Sequence, residues 1–166
     1  GTVVHGFIEA RFNNQPEKIP ARILAAIPEN QAAPIKERAR EMTDNFFRSR
    51  LGAGSAASGF RETEFPVLTA VGDNVVAGKI DLLFEHNGEL HIVDFKTDKI
   101  EDPLKHSGQL ALYRRAVSDI YGKPVRCWIF FVRSGRAVEL DDSALQTSPE
   151  ELVAMWKKER LHRLSR

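Results

Sequence analysis

Two aspartates and a lysine carry the chemistry that the sequence offers most clearly: Asp81 in GKIDLLFEH, and Asp94 and Lys96 in ELHIVDFKT. Asn87-Gly88 joins these runs. Asn-Gly between apolar-rich segments predicts a two-residue hairpin turn, because a type I′ turn needs positive φ at both central residues. His86 then faces Glu89, and counting outward along both strands sets Asp81 opposite Asp94. Directly opposed residues have Cβ atoms ~4.5–5.5 Å apart, where like charges repel, and aspartate suits strand interiors poorly. Ile80, Leu82, Leu83, Phe84, Ile92, Val93 and Phe95 predict a buried sheet around them, so the two carboxylates need a compensating charge or a proton. A divalent cation meets that need, and carboxylates with open water positions suit Mg²⁺ or Mn²⁺. Lys96, two residues past Asp94, projects from the same face. Such a set can hydrolyse a phosphodiester: the metal polarises the phosphoryl group and acidifies a bound water, while the lysine orients that water or stabilises developing charge. Spacing alone equally allows a structural Asp94–Lys96 salt bridge, and a β-bulge would break the register.

The elements that must position these residues follow from periodicity and turn signals. Residues 2–12 place Val4, Phe7 or Ile8, and Phe12 at helical spacing, with His5 and Glu9 on one face. A Pro-punctuated stretch from Pro16 to Pro34 follows, with a short helix over 21–27. Residues 35–51 read as a charged amphipathic helix with Met42, Phe46 and Phe47 inward, completing a helical part over 1–51. GAGSAASG, residues 52–59, reads as a linker. The sheet core spans 60–140: strands over 62–71, 75–86 and 89–97, a helix over 107–121 closed by Gly122 with Pro124 beyond, then strands over 125–132 and 137–140. Ser148, Pro149 and Glu151 start a last helix over 148–165 with a capping box. This order predicts a single α/β or α+β layered domain.

Composition narrows the function classes. Hydrophobic residues make up 42% and charged residues 28% of 166, ordinary for a folded globular chain. No apolar run approaches the ~20 residues that span a bilayer, and no basic-then-apolar signal opens the sequence, which predicts a cytoplasmic protein without membrane contact. The chain starts abruptly at Gly1 within a structured element, so it reads as cut from a longer polypeptide. Cys127 is the only cysteine and sits in WIFFV, which predicts a buried thiol and excludes an internal disulfide and a four-cysteine iron–sulfur cluster. The net charge of +1 leaves nucleic-acid binding to local patches. His86, His91, His106 and His162 show no ligand spacing and read as surface residues. The basic run 157–166 reads as a surface helix end complementing the macrodipole.

GKIDLLFEHNGELHIVDFKTDK resembles the core of the PD-(D/E)XK nucleases, of the RecB/AddA type found in bacterial helicase–nucleases. GTVVH looks like the Gly-Thr-x-x-His element of that family, Glu64 in ETEFPV like the acid opening its first core strand, GKID like its Gly-x-x-Asp motif, VDFKT like Asp-x-Lys, and QLALY like Gln-x-x-x-Tyr. Ile80 stands where the eponymous proline would be, and Phe95 where tyrosine is frequent. The resemblance implies a restriction-endonuclease-like fold, a mixed central sheet flanked by helices. It implies a metal held by His5, Asp81, Asp94 and the backbone carbonyl of Phe95, with Glu64 near it and Lys96 assisting the attack. Gln109 and Tyr113, one helical turn apart, would contact DNA together, and Arg114 and Arg115 would meet phosphates. The function implied is a Mg²⁺- or Mn²⁺-dependent deoxyribonuclease acting on DNA ends or single strands in recombinational double-strand-break repair. Its partners would be a linked helicase domain, the only route for ATP, and a second helicase–nuclease subunit. Two other readings stand beside it: an idle nuclease fold that binds DNA or a helicase as a scaffold, and an enzyme of the same fold acting on RNA or structured DNA.

Overall fold

A computed structural model describes residues 1–71, 73–146, 148, 151, 153, 154 and 157. Helices come first: α1 (Thr2–Phe12), α2 (Ala21–Leu24), α3 (Glu29–Phe47) and α4 (Arg50–Ala56). A five-stranded sheet follows, in the order β1 (Arg61–Val71), β2 (Asn74–His86), β3 (Glu89–Lys96), β4 (Val125–Phe131) and β5 (Arg136–Leu140), with α5 (Ser107–Tyr121) between β3 and β4. Every neighbouring pair is antiparallel except β3–β4, which is parallel. That pair therefore needs a crossover, and α5 provides it. The result is the expected mixed sheet between helical layers: α5 covers one face, with Ile80, Leu83, Ile92, Ile129 and Phe131 beneath it. Helices α1 and α3 cover the other, over Leu82, Phe84, Val93, Phe95 and Phe130.

The turn chemistry acts as the sequence predicts. Asn87 and Gly88 adopt φ of 53° and 81°, His86 pairs with Glu89, and Gly122 ends α5 at φ 61°. Cys127 is fully buried, and burial pushes its thiol up to about 12. Ser148 and Glu151 exchange the two bonds of a capping box; most of the helix expected over 148–165, including His162, lies outside the described residues.

Three expectations need correction. Helix α3 begins six residues before Ile35 and carries Pro34 inside it. GAGSAASG is no linker through Ala56 but helix α4, with Gly52 and Ser55 buried. Its small residues serve proximity and not flexibility: a Cβ on Gly52 would run into the carbonyl of Phe46 at the tight α3–α4 corner, where Ser49 caps Gly52 N–H at 3.1 Å. His91 is not a surface residue. It is 5% exposed, stacked between Phe84 and Trp128, and its Nδ1 accepts the Trp128 indole N–H at 3.1 Å.

The sheet forks at its centre. β2 pairs with β3 only from Leu82↔Val93 to His86↔Glu89. Beyond that point β1 and β2 continue alone as a ribbon to Val71↔Asn74, while β3 continues with β4 to Lys96↔Phe131. Ile80 and Leu83, three residues apart, both join the core under α5, which regular alternation forbids; the strand turns over at Asp81.

Candidate active site

Three acids lie on one row across the sheet at this fork. Thr63↔Leu82 and Phe65↔Ile80 bracket Glu64 and Asp81, which form no pair themselves. Continuing the β2–β3 register past Leu82↔Val93 brings Asp94 to the same row. Glu64 adopts φ 55°, a left-handed conformation that costs a non-glycine residue roughly 1–2 kcal/mol and that clusters at functional sites. In place of a ladder bond, Asp81 Oδ2 accepts the Phe95 N–H at 2.8 Å. Opening the sheet gives each carboxylate its own partners, while the charge of Asp94 still bears on Asp81.

A cleft of about 770 Å³ opens over the row. Helix α1 contributes His5, Gly6 and Glu9; β1 contributes Glu64; β2 Gly78, Lys79 and Asp81; β3 Asp94 and Lys96; and α5 Gln109, Leu112 and Tyr113, with Arg22 and Lys105 at the rim. His5, Glu64 and Asp81 each offer one ligand atom, and these lie within 4.8 Å of one another. Because a carbonyl only accepts, the contact of His5 Nε2 with Phe95 O at 3.1 Å puts the proton on Nε2. In the neutral ring, the Nδ1 lone pair then faces Asp81 Oδ1 at 3.5 Å. Two acceptors facing one another is the arrangement that a cation relieves. One nitrogen and two carboxylate oxygens suit a divalent ion with ligand distances of about 2.1 Å.

Asp94 stands beside this trio and not within it. It is 4% exposed, and its Oδ2 lies 2.7 Å from Lys96 Nζ. That contact is an ion pair without the alignment of a hydrogen bond, so Oδ2 is a buried acceptor whose directed bonds are unfilled. Burial, followed by the charge of Asp94, pushes the Asp81 carboxyl up to about 6, against the opposing pull of His5 in its protonated form, the Phe95 N–H and Lys96. For Lys96, burial disfavours the ammonium, but Asp94 and then Asp81 outweigh it and hold the group above its ordinary value. Lys79 is raised by its ion pair with Glu64.

The structure thus brings His5, Glu64, Asp81, Asp94, Lys96, Gln109 and Tyr113 to one cleft, with the Phe95 carbonyl reached through His5. It does not bring Arg114 or Arg115 there: Arg114 pairs with Asp142 and Arg115 faces Asp119. Lys79 was missed, although it precedes Asp81 by two residues on the same strand. Glu64 could have been found geometrically, since closing the first hairpin at Val71↔Asn74 already sets it opposite Asp81.

A family model described as the PD-(D/E)XK nuclease superfamily matches residues 1–165. The chain is similar to an ATP-dependent helicase/nuclease subunit of Staphylococcus epidermidis, 30% identical over 82 residues, 42% of this chain and 7% of that protein. It is also similar to the corresponding helicase/nuclease subunit of Anoxybacillus flavithermus, 35% identical over 92 residues, 48% of this chain and 8% of that protein. The matched segments are thus less than a tenth of these relatives' length. The crystal structure of a protein from Eubacterium rectale, assigned as an exonuclease, superposes with a TM-score of 0.62 at 14% identity over 98% of this chain and 65% of that one. That likeness speaks for the fold alone.

Proposed function

Because this chain belongs to the PD-(D/E)XK nuclease superfamily, we propose that the cleft at the fork is the active site of a Mg²⁺- or Mn²⁺-dependent deoxyribonuclease that hydrolyses DNA ends or single strands. The observation that carries this reading is the convergence of His5, Glu64 and Asp81 on one point, with the Lys96–Asp94 pair beside it. The donor set fits a hard divalent ion, and the unfilled Asp94 Oδ2 gives a further oxygen to it or to its water. When bound, such an ion polarises the scissile phosphoryl group and lowers the pKa of the attacking water.

The chain's own residues do the rest. His5 is held by the Phe95 carbonyl so that its Nδ1 faces the centre. Asp81 is oriented by the Phe95 N–H, which fixes one oxygen and leaves the other toward His5. Asp94 keeps Lys96 protonated, so Lys96 is a hydrogen-bond donor and not a base: it orients the attacking water and stabilises negative charge that grows on the phosphate oxygens. Lys79, Lys105 and Arg22 line the entrance and suit a phosphate backbone.

The same reading extends to context. The helicase/nuclease relatives motivate the proposal that this nuclease domain works joined to an ATP-driven helicase and a second helicase–nuclease subunit in recombinational break repair, in the bacterial cytoplasm. No helix among the described residues is long and apolar enough to cross a membrane. The test is digestion of linear single-stranded DNA with Mg²⁺ or Mn²⁺, compared with Asp81→Ala and Lys96→Ala, with RNA and duplex DNA as competitors. Wild type no faster than the variants would assign the chain to an idle nuclease fold, and preferential loss of RNA would change the substrate.

A further inference from the structure

Gln109 and Tyr113 resemble a family motif and line the cleft, so contact with DNA is the obvious role for them. Their geometry also commits them to partners within the protein. Tyr113 is 6% exposed, and its hydroxyl accepts two bonds from within the protein: the Lys79 backbone N–H at 3.2 Å and Gln109 Nε2 at 3.0 Å. Its ring lies on Gly78, where an added Cβ would come within 2.6 Å of ring carbon Cε1 and 2.8 Å of the hydroxyl. Gly78 is not among the glycines with positive φ, so its backbone conformation does not call for glycine. The ring does.

The position of this contact gives it a purpose. Past Leu82 the strand β2 has lost β3 and keeps only β1. An N–H on its open side has no ladder to enter, and an unpaired buried N–H is costly. Apolar burial of Val67, Val76 and Ile80 presses the ribbon onto α5, but such contacts are non-directional and do not fix where the strand sits along the helix. A hydrogen bond from Lys79 and a ring seated in the Gly78 gap do. Asp81 follows two residues later, and Glu64 lies across the ribbon, tied back to Lys79 by an ion pair.

We propose that Gly78, Gln109 and Tyr113 form a strut that sets the open half of β2 against α5, so that Tyr113 is a positioning residue for the Glu64 and Asp81 ligand atoms and not a DNA contact. The proposal rests on the metal-dependent reading of the same cleft, and the test separates the two. Tyr113→Phe keeps the ring and removes only the hydroxyl. In the 166-residue chain, the Lys79 amide should exchange with solvent about tenfold faster, as loss of one hydrogen bond predicts. Mn²⁺ affinity, measured by calorimetry without DNA, should weaken about fivefold, while KM for linear single-stranded DNA at saturating Mn²⁺ should stay within about twofold. Gly78→Ala should weaken Mn²⁺ binding further, and the double variant Gly78→Ala/Tyr113→Ala should be no worse than Tyr113→Ala, because the collision partner is gone. Should Gly78→Ala fail to fold, Tyr113→Phe still decides. Unchanged exchange and Mn²⁺ affinity with a raised KM would make Tyr113 a DNA contact and overturn the strut, and so would no change in any of the three. If wild type itself bound no Mn²⁺, the functional reading would fail, and the Lys79 exchange rate would still judge the strut.

Discussion

The two halves of β2 belong to one strand and are built for different ends. From Leu82 to Phe84 it is paired on both sides, and Leu82, Leu83 and Phe84 are fully or almost fully buried. From Asn74 to Ile80 it is paired on one side only, and its outward residues Val75, Ala77 and Lys79 are exposed. The closed half is where hydrogen bonds and apolar burial agree. The open half is where they part, and His5, Glu64, Asp81, Asp94 and Lys96 gather around that seam. On the proposed function, stability and reactivity are separated by a few residues of one strand.

This division can be broken from either side. The largest effect belongs to the seam: Lys96→Ala or Asp81→Ala should lower kcat on linear single-stranded DNA by about 10²–10³-fold, with the chain still folding cooperatively. If either variant instead unfolds the chain, the seam carries stability and the contrast collapses. Next comes the closed half, where Leu82→Ala should cost about 2–5 kcal/mol of folding stability in denaturant titration, while digestion by the folded fraction stays near wild type.

A smaller effect separates the halves by pH. The Asp81 carboxyl stands at about 6 when folded against an ordinary 3.8, so the folded chain binds the extra proton between those values. Stability without metal therefore falls as pH rises from about 4 to 6 and stays lower above. Asp81→Asn removes that penalty. The metal-free variant should be more stable than wild type at pH 8 by up to about 3 kcal/mol, the gain vanishing near pH 4 and shrinking when Mg²⁺ is added to wild type. A gain that persists at pH 4 would locate its cause elsewhere. The smallest effect tests the turn that sets the register: Gly88→Ala, at φ 81°, should cost about 1 kcal/mol in thermal unfolding without changing digestion.

Much of this was legible in the sequence, and the reasons are local. Asn87-Gly88 fixes the register through its own φ requirement, and the Asp81–Asp94 row follows by counting. What could not be counted is the response of the sheet to that row. Nothing local says that β2 and β3 will separate there, that Glu64 will turn left-handed, or that Asp94 will pair with Lys96 while Glu64 gathers with His5 and Asp81. Those outcomes depend on α1 and α5 closing over the fork from distant parts of the chain. The run 52–59 misled for a related reason: small residues signal flexibility in isolation, but at Gly52 they signal close approach to Phe46, which no single segment reveals. His91 was misjudged because its stacking partners Phe84 and Trp128 come from two other strands.

The most direct measurement is Mn²⁺ binding to the metal-free chain by calorimetry, with His5→Ala, Glu64→Ala and Asp81→Ala beside wild type and Leu82→Ala as the closed-half control. Wild type and Leu82→Ala should bind Mn²⁺ at the cleft, and each of the three ligand variants should bind it at least about tenfold more weakly. Binding that survives the loss of all three side chains, or wild type that takes up no metal at all, would contradict the assignment of the fork as a metal centre.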